Sequence, residues 1–198
     1  MALESNALCT IDELKLYLDM GTDDEGDTDQ DDDLLELIVN SLSKQIETYC
    51  RLSFAETTYT EYHDSNSNDT LFTNHYPITS VSGIFNDTGW SWAASTEVDS
   101  DTYRVADSNR VVLYNGTFGS ANQNIKVVYN AGFTSTPYDV KLACIKEAGR
   151  LYRGRDAKGA TFRREELPTG SSDSAYIVEE FLPETVAVLN RYRVKGAL

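Results

Sequence analysis

The hydrophobic period of this 198-residue chain changes twice, and that double change restricts its fold more than any motif does. Before about Thr57, apolar residues recur at steps of three and four. From Thr57 to Phe133 they alternate with polar residues, and after Pro137 the steps of three and four return. A period near 3.6 buries one stripe of a helix, whereas a period of two buries one face of a strand. The pattern predicts an α+β fold, a small α-helical bundle with an inserted antiparallel β unit. Residues 1–56 supply the N-terminal helices of the bundle and 57–133 the inserted β unit. Residues 134–198 supply the C-terminal helices and a basic docking segment.

Local signals support each part. In TIDELKLYLDMG, Thr10 and Glu13 have the spacing of a capping box, Ile11, Leu14 and Leu18 share a face, and Gly21 is the expected stop. The strongest helical stripe is Leu35, Ile38, Leu42, Ile46 and Tyr49, flanked by Leu34 and Cys50, with Asp32 or Asp33 as the expected N-cap. Runs rich in Thr, Tyr, Val and Ile, broken by Asn, Asp, Ser and Gly, predict five or six strands, with ADSN at 106–109 as a hairpin turn. Pro137 sits near a helix start, where its missing N–H does little harm. Val140, Ala143, Cys144, Ala148 and Leu151 form the next stripe, and Leu182, Val186 and Leu189 the last.

Charge is unevenly placed. The net charge is −15, but residues 1–140 carry 6 Lys/Arg against 24 Asp/Glu, a balance of −18, while residues 141–198 stand at +3. So acidic a body repels nucleic acid and anionic membranes and favours basic partners or cations. The run DDEGDTDQDDD, Asp23 to Asp33, holds eight carboxylates in eleven residues. A calcium loop needs oxygen ligands at its positions 1, 3 and 5, Gly at 6 and Glu at 12. Counted from Asp27, the last two positions are Asp32 and Ile38; counted from Asp64, they are Asp69 and His75. Residues 22–31 are therefore expected to be a solvated loop between helices, and no metal site is expected.

Other classes are disfavoured in turn. Cys9, Cys50 and Cys144 are odd in number, widely spaced and free of any CxxC, which points to a reducing compartment. The N-terminus has no basic and apolar leader pattern, and no apolar run approaches 18 residues, so neither secretion nor membrane spanning is expected. No GxSxG, HExxH or Gly-rich phosphate loop is present, and the two histidines, His63 and His75, read as surface or strand residues of the β unit. The expectation is a protein that is not an enzyme and has no cofactor. Trp90 and Trp92, in GWSW, read either as a binding tip or as a cover for one end of a sheet. Arg153, Arg155, Lys158, Arg163 and Arg164 stand against a single Asp156. They form a solvated loop or a surface for an acidic protein or for phosphates. With Arg191 and Arg193 of the closing helix, they are the candidate protein-interface residues.

In order, ALCTIDELKLYLDM, DDDLLELIVNSLSKQIETYCRLSF, YPITSVSGIF, IKVVYNAGFTSTPYDVKLACIKEAGRLYRGR and LPETVAVLNRYR resemble the head–tail connector (adaptor, or head-completion) proteins of long-tailed bacteriophages. The very acidic loop and the long 57–133 insertion depart from the smallest members. The resemblance implies a structural virion protein whose copies form a ring beneath the portal, usually with twelve-fold symmetry. That ring extends the DNA channel and offers a platform for tail attachment. The implied partners are the portal protein, neighbouring copies and a tail-side neck or tail protein, and genomic DNA passes through without specific binding. The implied location is the neck of the virion, with the host cytoplasm during assembly. Two alternatives stand beside it: another neck component, such as a stopper or tail-completion protein, or a carbohydrate- or calcium-binding β module on a helical base.

Overall fold

A computed structural model of the chain describes residues 2–20, 28–154 and 181–193. They divide into two units: one joins the described residues of Met1–Cys50 to those of Tyr138–Leu198, and the other is Arg51–Pro137.

The first unit holds helices α1 (Ile11–Leu18), α2 (Thr28–Cys50), α3 (Tyr138–Gly154) and α4 (Pro183–Tyr192), with α3 packed against the other three. The capping box at the start of α1 is complete. The Thr10 hydroxyl accepts from the Glu13 N–H at 3.2 Å, and the Glu13 carboxylate accepts from the Thr10 N–H at 2.9 Å. Leu14 is fully buried. The helix stops at Leu18 rather than near Gly21, because Asp19 takes a left-handed conformation (φ 59°) that Asp tolerates.

The acidic run behaves differently from expectation. Helix α2 begins at Thr28, so Asp31, Asp32 and Asp33 lie within it, and neither Asp32 nor Asp33 is an N-cap. Residues 28–31, expected in a loop, are helical; 21–27 lie outside the described residues. The carboxylates are tolerated there for two physical reasons. Negative charge is favoured near a helix N-terminus, and side chains of other helices meet it: Asp32 pairs with Lys15 at 2.5 Å, and Asp31 accepts from the Tyr152 hydroxyl at 2.9 Å. The buried stripe of α2 is Leu35, Val39, Leu42, Ile46 and Cys50, so it is turned from the expected one and leaves Ile38 and Tyr49 half-buried.

In α3 the core residues are Val140, Ala143, Cys144, Ile145, Ala148 and Tyr152. Leu151, expected on this stripe, is exposed. Tyr152 takes the inward position because its ring fills the space while its hydroxyl reaches Asp31. Glu147 is also fully buried, and it is satisfied by Arg150 Nε at 2.8 Å and the Leu182 N–H at 2.5 Å, which docks the entry to α4. Phe181 seals the same region edge-on to Tyr49.

The second unit contains β1 (Thr57–Asn66), β2 (Thr70–Phe72), β3 (Ile78–Asn86), β4 (Tyr103–Asp107), β5 (Arg110–Leu113) and β6 (Ser120–Ala131). They form two antiparallel three-stranded sheets, β1–β6–β3 and β2–β5–β4. Strand β6 is central to its sheet and pairs Ala131 with Thr57 and Ile125 with His63. Its alternation places Ile125, Val127, Tyr129 and Ala131 inward, where they meet Leu71, Ile84, Val111, Leu113 and Phe118 in one core. Ser108 and Asn109 turn β4 into β5, as the ADSN stretch predicts. Gly132, just after β6, has φ 121°, and a Cβ there would lie 2.5 Å from the Ala55 carbonyl oxygen, so only glycine fits.

Candidate assembly surfaces

The helical unit leaves several large apolar side chains in solvent. Tyr138 is 87% exposed and Leu16 is 83% exposed, and Leu37 and Leu142 are about half exposed. Tyr138 and Leu142 are four apart on α3, so they share a face of that helix. Where α1 meets α3, Gly149 lets the Tyr17 ring come close; a Cβ at Gly149 would lie 2.9 Å from Tyr17 Cε1. The outer side of α2 carries an open groove of about 720 Å³ lined by Leu37, Ser41, Lys44, Thr48 and Tyr49 and reached by Glu4. Isolated exposed apolar residues are ordinary, whereas a contiguous apolar patch marks an interaction surface.

Of the seven cations proposed from sequence, Arg153, Arg191 and Arg193 are described, whereas Arg155, Lys158, Arg163 and Arg164 lie outside the described residues. Arg153, at the end of α3, lies over the Tyr17 ring at 5.8 Å. Arg193, just past α4, lies over the Tyr49 ring at 4.9 Å. Arg191 sits 3.9 Å from Asp139, whose carboxylate also accepts from the Tyr192 hydroxyl at 2.8 Å. All three remain exposed while their own chain orients them, so they project charge from fixed places at two helix ends.

The β unit presents a different surface. After β3 the chain wraps around the Asp87 carboxylate, which accepts from the Gly89, Ser91 and Trp92 N–H groups at 2.7–2.9 Å and from the Ser91 hydroxyl at 2.7 Å. The Ser91 hydroxyl first, and then the backbone donors, hold the Asp87 carboxyl below its ordinary range. Trp90 (φ 56°) and Trp92 (φ 51°) are held in left-handed conformations. Trp92 packs on Tyr62 at 5.4 Å, while Trp90 stays 60% exposed and its Nε1 donates to the Asn122 carbonyl at 3.4 Å. The two readings of GWSW thus divide between its residues: Trp92 covers the sheet and Trp90 is presented.

The histidines also meet, which the sequence did not reveal. Glu61 points inward from β1 and is 9% exposed. Its Oε1 lies 2.8 Å from His75 Nδ1 and accepts from the Tyr129 hydroxyl at 2.6 Å; its Oε2 lies 2.8 Å from His63 Nε2 and accepts from the Asn74 N–H at 3.1 Å. Tyr59 stacks on the His75 ring at 3.8 Å. Burial pushes the Glu61 carboxyl up, but the hydrogen bonds from Tyr129, His75, Asn74 and His63 outweigh it and hold the group below its ordinary range. The only signal in the sequence was a Glu on the inward parity of a strand. Among the described residues no group of three or more His, Cys, Asp or Glu is arranged to hold a metal ion.

No curated protein matches the chain. Solved structures match it along its whole length. A chain of "Neck of empty GTA particle computed with C6 symmetry" has a TM-score of 0.62 at 17% identity, covering 100% of this chain and 95% of that one. A chain of "Neck of native GTA particle computed with C12 symmetry" gives 0.60 at 15% identity, covering 100% and 94%. A chain of "Virion of native gene transfer agent (GTA) particle" gives 0.61 at 16% identity, covering 100% and 95%. At such identities the likeness is one of fold. The family model described as "Head completion protein" matches residues 7–194, nearly the entire sequence, and the chain belongs to that family.

Proposed function

We propose that this protein is a structural, non-enzymatic component of the head–tail junction of a tailed virus or virus-like particle. Copies of it form a ring that joins the portal to the next tail-side component and extends the channel for DNA. The observation that carries this reading is the family match over residues 7–194. The likeness in fold to chains of particle necks described with six- and twelve-fold symmetry supports a ring of twelve. The acidic body, −18 over residues 1–140, suits a channel that repels phosphates instead of holding them. In the ring, the exposed apolar residues of α1, α2 and α3 pack against neighbouring copies. The basic C-terminal residues, from Arg153, Arg155, Lys158, Arg163 and Arg164 to Arg191 and Arg193, contact the portal or the next subunit. Arginine suits that contact because its planar fork pairs with carboxylates in two bonds at once. The test is sedimentation of the purified chain alone, with portal and with tail-side proteins, at low and high salt. Co-sedimentation with portal in ring-sized particles, weakening as salt rises, supports the reading. A ring that joins tail-side protein but not portal would move the protein to a stopper position. A persistent monomer that joins neither would overturn the proposal.

A further inference from the structure

The helical unit contains a pair of neighbouring buried thiols. Cys9 precedes the N-cap of α1, and Cys144 lies in the buried stripe of α3. Their sulfurs are 3.9 Å apart, and both side chains are buried. The third cysteine, Cys50, lies elsewhere, with its sulfur 3.7 Å from the Leu189 carbonyl oxygen. We propose that Cys9 and Cys144 are a latent disulfide site, reduced when the chain folds and closed into an intramolecular bond when it meets a small-molecule disulfide oxidant.

The geometry favours this pair over any other. A disulfide brings its sulfurs to about 2.05 Å, so the pair must close by about 2 Å. Cys144 is fixed in a packed helix, but Cys9 belongs to a segment outside helix. That segment is held to α2 by the Glu4 N–H on Asn40, Asn6 on Glu47 and the Leu8 N–H on the Ser43 hydroxyl, each at 2.9–3.0 Å. Opening of a non-helical segment held by a few such hydrogen bonds is a local event. It exposes Cys9 to solvent while α3 stays folded, and reclosing supplies the shift that the bond needs. The two thiols also divide the chemistry. The hydrogen bond shared with Cys144 holds Cys9 below the usual thiol range against the effects of burial and of the Glu13 charge, and Lys141 adds a smaller lowering. The same bond, with burial, pushes Cys144 up. Burial also pushes Cys50 up, to about 11, so Cys9 is the one cysteine of the three held below the usual thiol range.

The exchange balances as follows. The Cys9 thiolate attacks one sulfur of the oxidant, forms a mixed disulfide and releases one thiolate, which takes up a proton. The Cys144 thiol gives its proton to solvent and attacks Cys9 Sγ, forming the Cys9–Cys144 bond and releasing the second thiolate. Two protein thiols lose two electrons, and one small disulfide becomes two thiols. Such a bond stays open in a reducing compartment and closes outside it. Once formed, it makes a covalent loop in the sequence from residue 9 to residue 144 that contains every strand of the β unit.

The experiment uses the full chain, incubated folded with excess oxidised glutathione, then alkylated in denaturant and mapped by mass spectrometry. The expected product has lost two hydrogens and joins the peptide with Cys9 to the peptide with Cys144. It carries one alkylated thiol, at Cys50, and melts about 5–15 °C higher than the same sample after reduction. Cys50→Ser keeps the link, and Cys9→Ser abolishes it. The mapping is done on the unaltered chain, so it decides the matter even if a variant folds poorly. Three alkylated thiols after oxidation, a lasting glutathione adduct on Cys9, or a bond to Cys50 or to a second chain would each overturn the proposal.

Discussion

Glu61 shows how much one side chain holds in the β unit. Its carboxylate is the common acceptor for Tyr129, His75, His63 and Asn74, which come from β6, from the loop before β3 and from β1 itself. Replacing it by Leu leaves buried donors without an acceptor, so Glu61→Leu is expected to destabilise the β unit by about 2–4 kcal/mol in denaturant unfolding. The Glu61 carboxyl is held below its ordinary range in the folded chain. Its contribution to stability is therefore complete at pH values above the ordinary carboxylate range, and it disappears as pH falls through the depressed folded value. Melting temperature followed from neutral pH into acid should fall less steeply for Glu61→Gln than for the parent; parallel curves would contradict this. Gly132 sets a second residue-scale limit. With φ 121° and the Ala55 carbonyl in the way, Gly132→Ala is expected to lose about 2–4 kcal/mol by the same measurement. Neither Glu61 nor Gly132 stood out in the sequence, because a pairing across 68 positions or a close backbone approach leaves no local pattern.

The elements were the most legible level. The two changes of period, the capping box of Thr10 and Glu13 and the turn at Ser108 and Asn109 are local properties, and each has its counterpart in the fold. The misreadings occur where tertiary partners decide. The start of α2 is helical although it is crowded with carboxylates, because Lys15 and Tyr152 meet Asp32 and Asp31 from other helices. The choice of Tyr152 over Leu151 as the inward residue of α3 rests on that same long-range bond. Leu42, at the middle of the α2 stripe, is 1% exposed, so Leu42→Asp is expected to cost more than about 4 kcal/mol and to abolish cooperative melting of the helical unit. Leu37 lies on the same helix but is half exposed, and Leu37→Ser should change stability by no more than about 0.5 kcal/mol.

At the scale of the whole molecule, charge and exposed surface bear on assembly more than on folding. Identical acidic bodies placed side by side repel one another, so contacts between copies must come from apolar area or from the basic end of the chain. The triple variant Leu16→Ser, Tyr138→Ser, Leu142→Ser should keep the parent melting temperature within about 2 °C and lose at least tenfold in self-association by analytical ultracentrifugation. Changing Arg153, Arg191 and Arg193 to Ser should leave self-association at high salt unaltered and weaken, at low salt, the contact proposed for them with portal or the next subunit. The sequence announced the basic end through its composition. It did not announce that Tyr17 and Tyr49 would orient two of those arginines, because a cation over a ring depends on which helices lie side by side.

The loop around Asp87 has a practical consequence. The chain has two tryptophans, and both are in that loop. Intrinsic tryptophan fluorescence of the entire protein is thus the signal of one few-residue probe. Trp90, in solvent, should be quenched readily by acrylamide in the native state, and Trp92, against Tyr62, much less. An unlabelled titration in which emission shifts on adding another neck component would place the contact at this end of the β unit. An assembly that proceeds with emission and quenching unaltered would place it elsewhere.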